Sequence, residues 1–216
     1  LLPELVRHNI ERTPQMPLML QENFTVRLLE MLRTGEIDCA ILAEPFPDSG
    51  LAVAPLYDEP FMAALPAAHP LARGAAVTSE QLRGEHMLLL GTGHCFRDHV
   101  LQVCPEFAGF ASSGEGIRRN FEGSSLETIK HMVAAGMGVT LVPRLAVPVE
   151  ALVAQAAQAD APGAVRYLPV RDGGGAAPPT RRVVLAWRRS FTRYEAIAAL
   201  RNAIYACELP GVQRLS

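Results

Sequence analysis

"SSLETIKHMVAAGMGVTLVP", residues 124 to 143, decides how the rest of the chain is read. Ser124 and Glu127 have the S-x-x-E spacing of a helix-opening capping box, and Gly136 suits the left-handed position just past a helix end. "VTLVP" (139 to 143) then reads as a short apolar strand. A capped helix running straight into a buried strand is the repeating unit of an α/β domain.

The same alternation extends outward in both directions. "MPLML" (16 to 20), the periodic "TVRLLEMLRTG" and "IDCAIL" (37 to 42) read as strand, helix and strand, a parallel crossover unit. "FMAALP" and "HMLLL" (86 to 90) add strands, with Thr92 the expected cap of a helix that follows His94. At the other end, "VVLAW" reads as a strand. "YEAIAALRNAIYACEL" reads as a helix with Ile197, Leu200, Ile204 and Cys207 on its core face. "YDEPF" (57 to 61) and the glycine- and proline-rich "DGGGAAPPTRR" (172 to 182) look like boundaries. The expected architecture is two α/β lobes, residues 1–59 with 181–216 in one and 60–180 in the other. A cleft between such lobes normally surrounds a small ligand.

Composition narrows the function. In 216 residues, 49% of them apolar, there is enough apolar material for a real core, so disorder is excluded as the main state. Twenty basic residues stand against 22 acidic ones, with no basic run, which leaves no electrostatic footprint for nucleic acid. No apolar stretch is long enough to span a membrane and no signal-peptide pattern opens the chain, so a cytoplasmic protein without a membrane partner is expected. Leu1 in place of Met suggests one part of a longer polypeptide. Four cysteines are too few for a disulfide scaffold.

Two of those cysteines share one segment, "LLLGTGHCFRDHVLQVCPEF" (88 to 107). Cys95 follows His94 and falls in the first turn of the expected helix, where free backbone N–H groups and the helix dipole favour an anion. The thiolate is the nucleophilic form of cysteine, and His94 and Arg97 add donors or positive charge. The flanking glycines and charges argue against an ordinary core cysteine. Cys104 lies nine residues on. Across an intact helix that is roughly 13 to 14 Å and the opposite face, whereas a disulfide needs Cα atoms within roughly 4.4 to 6.8 Å. A bond between the two would therefore require the helix to unwind. Closing a ring of about ten residues is worth roughly 2.5 to 3 kcal/mol, which offsets only part of the packing lost from Phe96, Val100 and Leu101. A zinc reading of His94, Cys95, Asp98, His99 and Cys104 fits none of the common ligand spacings, so no metal or cofactor is expected there. Cys39 and Cys207 read as core residues.

"GHCFRDHVLQVC" followed by "SLETIKHMVAAGMGVTLVP" resembles the OxyR-type, hydrogen-peroxide-sensing branch of the LysR-type transcriptional regulators. "LLPELV", "GEIDCAIL", "LYDEPF" and "VVLAWRR" extend the likeness over essentially the whole chain. The resemblance implies two Rossmann-like lobes similar to type II periplasmic binding proteins, that is, a LysR-type effector-binding domain of a bacterial regulator rather than an enzyme. It implies Cys95 as the peroxidatic thiol and Cys104 as the resolving one, joined in a redox-active disulfide on oxidation. His94, Thr25, Arg182 and Asp98 match the family's peroxide-pocket positions. On their own residue chemistry, Thr25 would be a helix-start hydroxyl and Arg182 a solvated charge.

The family also implies a homodimer or homotetramer, with the helix 125 to 136 and the strand 37 to 42 as candidate faces. Thioredoxin- or glutaredoxin-type reductants, and RNA polymerase for the complete regulator, are further implied partners. Promoter DNA would be bound only through an N-terminal winged helix-turn-helix that this chain lacks, as it lacks the family's first strand. The segment between Cys104 and Ser124 looks longer than in the best-known members. Two other readings use parts of the same sequence: a LysR-type domain binding a small organic effector, and a two-cysteine thiol peroxidase.

Overall fold

The structure is a computed structural model and describes residues 1–47, 50–107, 122–123, 125–154, 163–171 and 177–215. In chain order its helices are α1 (Leu2–Arg12), α2 (Thr25–Thr34), α3 (Ser79–Leu82), α4 (Cys95–Val103), α5 (Leu126–Ala134), α6 (Val149–Ala154) and α7 (Tyr194–Ala206). Its strands are β1 (Cys39–Ala43), β2 (Leu51–Pro66), β3 (Val77–Thr78), β4 (Leu89–Leu90), β5 (Glu122–Gly123), β6 (Thr140–Pro143), β7 (Val165–Arg171), β8 (Thr180–Arg188) and β9 (Gln213–Arg214). The chain divides into two compact units, Leu1–Glu59 with Arg181–Ser216, and Pro60–Thr180.

In the first unit, β1 runs antiparallel to β8, with Cys39 opposite Trp187 and Ala43 opposite Val183. β9 pairs antiparallel with Tyr57 and Asp58 of β2. α2 ends at Gly35, whose φ of 85° is the left-handed cap that a side chain would resist, and its N–H donates to the Met31 carbonyl. Leu29 and Leu32 of α2 are buried against Ala40, Leu42, Leu51, Val184 and Ala186. Arg188 ties the helix end to the sheet by donating to the carbonyls of Leu32 at 2.6 Å and Ile37 at 2.8 Å.

In the second unit, residues 61 to 66 of β2 are the central strand. β6 pairs with them antiparallel on one side (Phe61 opposite Pro143) and β7 on the other (Pro66 opposite Val165). β7 continues in parallel to β3. β4 pairs in parallel with β5, and Met87 is bridged to Val139. The Val139 N–H donates to the His86 carbonyl at 2.9 Å, and a Cβ at Gly138 would stand 2.3 Å from that oxygen. Only glycine permits the approach. Phe61, Leu65, Leu82, Leu88, Ile129 and Leu141 are each no more than 2% exposed and form the centre of this core.

Most sequence-derived elements are present, with four corrections. Residues 16 to 20 form no strand: Met19 is 93% and Leu20 50% exposed. With no partner strand and Pro17 removing a donor, an apolar run alone does not make a strand. The expected parallel crossover is replaced by the antiparallel β1–β8 pair. The N-cap of α4 is His94, not Thr92. α5 is capped by Ser125, whose hydroxyl accepts from the Glu127 N–H at 3.3 Å. Ser124, the expected cap, lies outside the described residues, as does almost all of the segment between Phe107 and Ser125. Gly136 has the expected left-handed backbone, φ 77°.

Candidate functional site

The site is built from α4. Gly93, at φ 98°, turns the chain out of β4. His94 has extended backbone and caps the helix, with its carbonyl accepting from the Arg97 N–H at 2.9 Å. Cys95 is the first helical residue, at the end of the helix where the backbone N–H groups have no intrahelical partners. It is half-buried, whereas Cys104, which ends the same helix, is fully buried at 0% exposure. The Cys104 N–H donates to the Val100 carbonyl at 2.9 Å, closing the last turn. None of the four cysteines is in a disulfide. Nine residues of helical rise separate Cys95 from Cys104, about 13.5 Å.

One face of α4 is fixed in the core. Phe96 is 7% and Val100 1% exposed, and the Phe96 ring stacks on Phe61 with centroids 5.7 Å apart. Arg97 binds the helix back to the preceding strand by donating from Nη1 to the Leu90 carbonyl at 2.9 Å. Thr140 of β6 reaches under the same strand, its hydroxyl donating to the Leu88 carbonyl at 2.7 Å. The site thus has a base packed into the core and a half-buried thiol. A nucleophilic thiol at a helix start can attack an oxidant, and a buried second thiol can react only once it is uncovered.

The remaining candidate residues are distributed as follows. Asp98 is on α4 and exposed, and His99 is buried on the same helix. Thr25 is the first residue of α2 and half-buried, in the first compact unit. Arg182 lies in that unit too, where its Nε and Nη2 donate to the two carboxylate oxygens of Asp58 at 2.9 and 3.0 Å. Asp58 holds the guanidinium firmly protonated, raising its already high pKa. α4 thus carries His94, Cys95 and Asp98 at its start and Cys104 at its far end, while Thr25 and Arg182 belong to the other compact unit.

Two features were not read from the sequence. Glu59 is 1% exposed and accepts from Arg181 Nε at 2.9 Å and Nη2 at 2.7 Å, a buried ion pair at the two chain positions where the compact units meet in sequence. Its partners are 122 residues apart, so no local pattern announces it. Cys39 is in a strand edge position where burial and Asp38 push its thiol pKa up to about 11. That is the opposite of a reactive cysteine.

Among known proteins, the family described as the LysR substrate binding domain matches residues 1–206. A probable hydrogen peroxide-inducible genes activator of Mycobacterium avium is 41% identical over 153 residues, covering 69% of this chain and 47% of the relative. The DNA-binding transcriptional dual regulator OxyR of Escherichia coli K12 is 39% identical over 150 residues, with the same coverage of each chain. The chain therefore spans about half the length of these relatives. Among solved structures, a reduced form of OxyR from N. meningitidis superposes with a TM-score of 0.87 at 38% identity, covering all of this chain and 93% of that one. The fold is the mixed α/β, type II periplasmic-binding-like fold of OxyR regulatory domains.

Proposed function

Because the chain belongs to the LysR substrate-binding-domain family, we propose that it is the peroxide-sensing regulatory domain of an OxyR-type transcriptional regulator. Its relatives are named as hydrogen peroxide-inducible genes activators, which supports the substrate and the regulatory role. The observation that carries the reading is a half-buried thiol opening α4 and a fully buried thiol ending it, with no disulfide between them.

The chemistry runs in two balanced steps. The Cys95 thiolate attacks one peroxide oxygen, the O–O bond breaks, and the sulfenic acid Cys95–SOH forms as hydroxide leaves and takes a proton to become water. Cys104 then attacks the Cys95 sulfur. The S–O bond breaks, a second water departs, and the disulfide forms. His94 and the helix-start N–H groups hold the thiolate and the developing negative charge in the first step. Thr25, Arg182 and Asp98 are proposed to shape the peroxide pocket. This second step cannot occur while α4 is intact, because its length exceeds the disulfide Cα limit of roughly 6.8 Å about twofold.

Oxidation is thereby coupled to structure. Withdrawing Phe96 and Val100 from the core costs roughly 3 to 6 kcal/mol, more than the roughly 2.5 to 3 kcal/mol that ring closure contributes. The oxidised form is a strained disulfide that thioredoxin- or glutaredoxin-type proteins can reduce. The refolded segment changes the contacts between copies of the chain, a dimer or tetramer, and through them the DNA-binding part and RNA polymerase. The protein acts in the bacterial cytoplasm as a regulator, consuming one peroxide per switching event. No helix among the described residues is long and apolar enough to cross a membrane.

The test is a thiol titration after one equivalent of peroxide. Two thiols per chain should disappear in the wild type and none in Cys95→Ser. Equal loss in both would contradict the assignment, and sustained peroxide consumption with thioredoxin present would make the chain a peroxidase instead.

A further inference from the structure

Outside the α4 site, Glu4, His8 and Cys207 bring a carboxylate oxygen, a ring nitrogen and a thiol sulfur within 4.8 Å of one another. Glu4 and His8 are one helical turn apart on α1, so both project from the same face. Cys207 follows the last residue of α7, the helix against which α1 packs. All three belong to the first compact unit and none is used by the peroxide chemistry.

We infer that Glu4, His8 and Cys207 form a zinc(II) site. Four features support it. The donors are of the three classes zinc accepts, thiolate, imidazole and carboxylate, and a mixed set of this kind suits zinc better than the all-oxygen cations. His8 Nδ1 is buried and has no hydrogen-bond partner, a cost that a bound cation or its ordered ligand sphere would remove. Cys207 is 0% exposed and, among the described residues, its sulfur makes one weak bond, to the Ala203 carbonyl at 3.3 Å, so it can turn to a metal. Glu4 is already oriented, its Oε2 accepting from the Glu208 N–H at 2.7 Å.

A tetrahedral zinc with Zn–S of about 2.3 Å and Zn–N or Zn–O of about 2.0 to 2.1 Å places its donors about 3.3 to 3.6 Å apart. The cluster needs to close by about 1.5 Å at most, a side-chain adjustment. Binding replaces the S–H bond of Cys207 with an S–Zn bond and releases one proton to solvent, with no change of oxidation state. Three protein ligands leave a fourth position for water.

Cobalt(II), a spectroscopic substitute for zinc, tests the site directly in the intact chain. Titration should give the thiolate-to-cobalt charge-transfer absorption of tetrahedral coordination, and zinc should displace it. His8→Gln and Glu4→Gln, each checked for unchanged circular dichroism, should weaken cobalt binding about 100-fold or more, beyond what loss of a supporting residue costs. Cys95→Ser should bind as the wild type does. Absence of the charge-transfer band, or a band that survives His8→Gln and Glu4→Gln but is lost in Cys95→Ser, would overturn the assignment.

Discussion

Phe96 stacks on Phe61 with ring centroids 5.7 Å apart and planes inclined by 27°, so the residue next to Cys95 is anchored in the core of its own unit. The anchor resists unwinding of the helix that begins with Cys95. Phe96→Ala should destabilise the chain by about 3 to 5 kcal/mol, the range for a buried aromatic, read from chemical denaturation. The milder Phe96→Leu should accelerate disulfide formation after peroxide addition, because less packing is lost when the helix opens. Slower disulfide formation in Phe96→Leu would show that the stacked ring is not a restraint.

Arg97 fastens the start of α4 to the Leu90 carbonyl. Arg97→Met keeps much of the aliphatic stem and removes the charge-assisted bond, so it should cost about 1.5 to 3 kcal/mol. Hydrogen exchange at residues 95 to 98 should rise in this variant. Unchanged exchange there would mean that other contacts fix the helix start.

The Glu59–Arg181 pair predicts a larger effect than the Arg182–Asp58 pair beside it in sequence. Glu59 is 1% exposed, and Arg181→Ala removes the cation paired with this buried carboxylate, so it should cost about 3 to 5 kcal/mol. The Arg182 side chain is 48% exposed, and Arg182→Ala should change stability by no more than about 1 kcal/mol while still affecting any role in the peroxide pocket. Equal destabilisation by the two substitutions would contradict the buried reading of Glu59.

Cys39 gives a pH-dependent contrast. Its pKa is raised from 9.0 to about 11, chiefly by burial and then by Asp38, so the thiol is protonated at neutral pH. Alkylation of the folded chain at pH 8 should leave Cys39 unmodified while Cys95 reacts. In the folded state Cys39 holds its proton up to about pH 11, whereas the unfolded thiol loses it near 9. The stability it contributes is complete below pH 9 and falls between pH 9 and about 11. Cys39→Ala should flatten the stability profile in that window.

The sequence made the α4 segment legible because its logic is local. A helix start, a cysteine in the first turn and a second cysteine nine residues on can all be placed from helical geometry alone, and the break at Gly136 follows from backbone stereochemistry. Caps were less exact: His94 takes the position expected of Thr92, because the chain turns at Gly93 and reaches extended backbone only after it. Residues 16 to 20 misled because apolar composition does not specify a strand partner. β2 was only partly legible, since Pro55, Asp58, Glu59 and Pro60 interrupt a strand that nevertheless runs from Leu51 to Pro66. The Glu59–Arg181 and Glu4–His8–Cys207 groups are assembled from opposite ends of the chain, and only folding brings them together.

The central claim is that peroxide joins two thiols that an intact helix keeps apart. Peptide mapping by mass spectrometry after sub-stoichiometric peroxide tests it most directly. The account predicts a Cys95–Cys104 disulfide as the main product, absent in Cys95→Ser and reversed by thioredoxin. Recovery of both cysteines unlinked, with oxidation confined to Cys39 or Cys207, would contradict it.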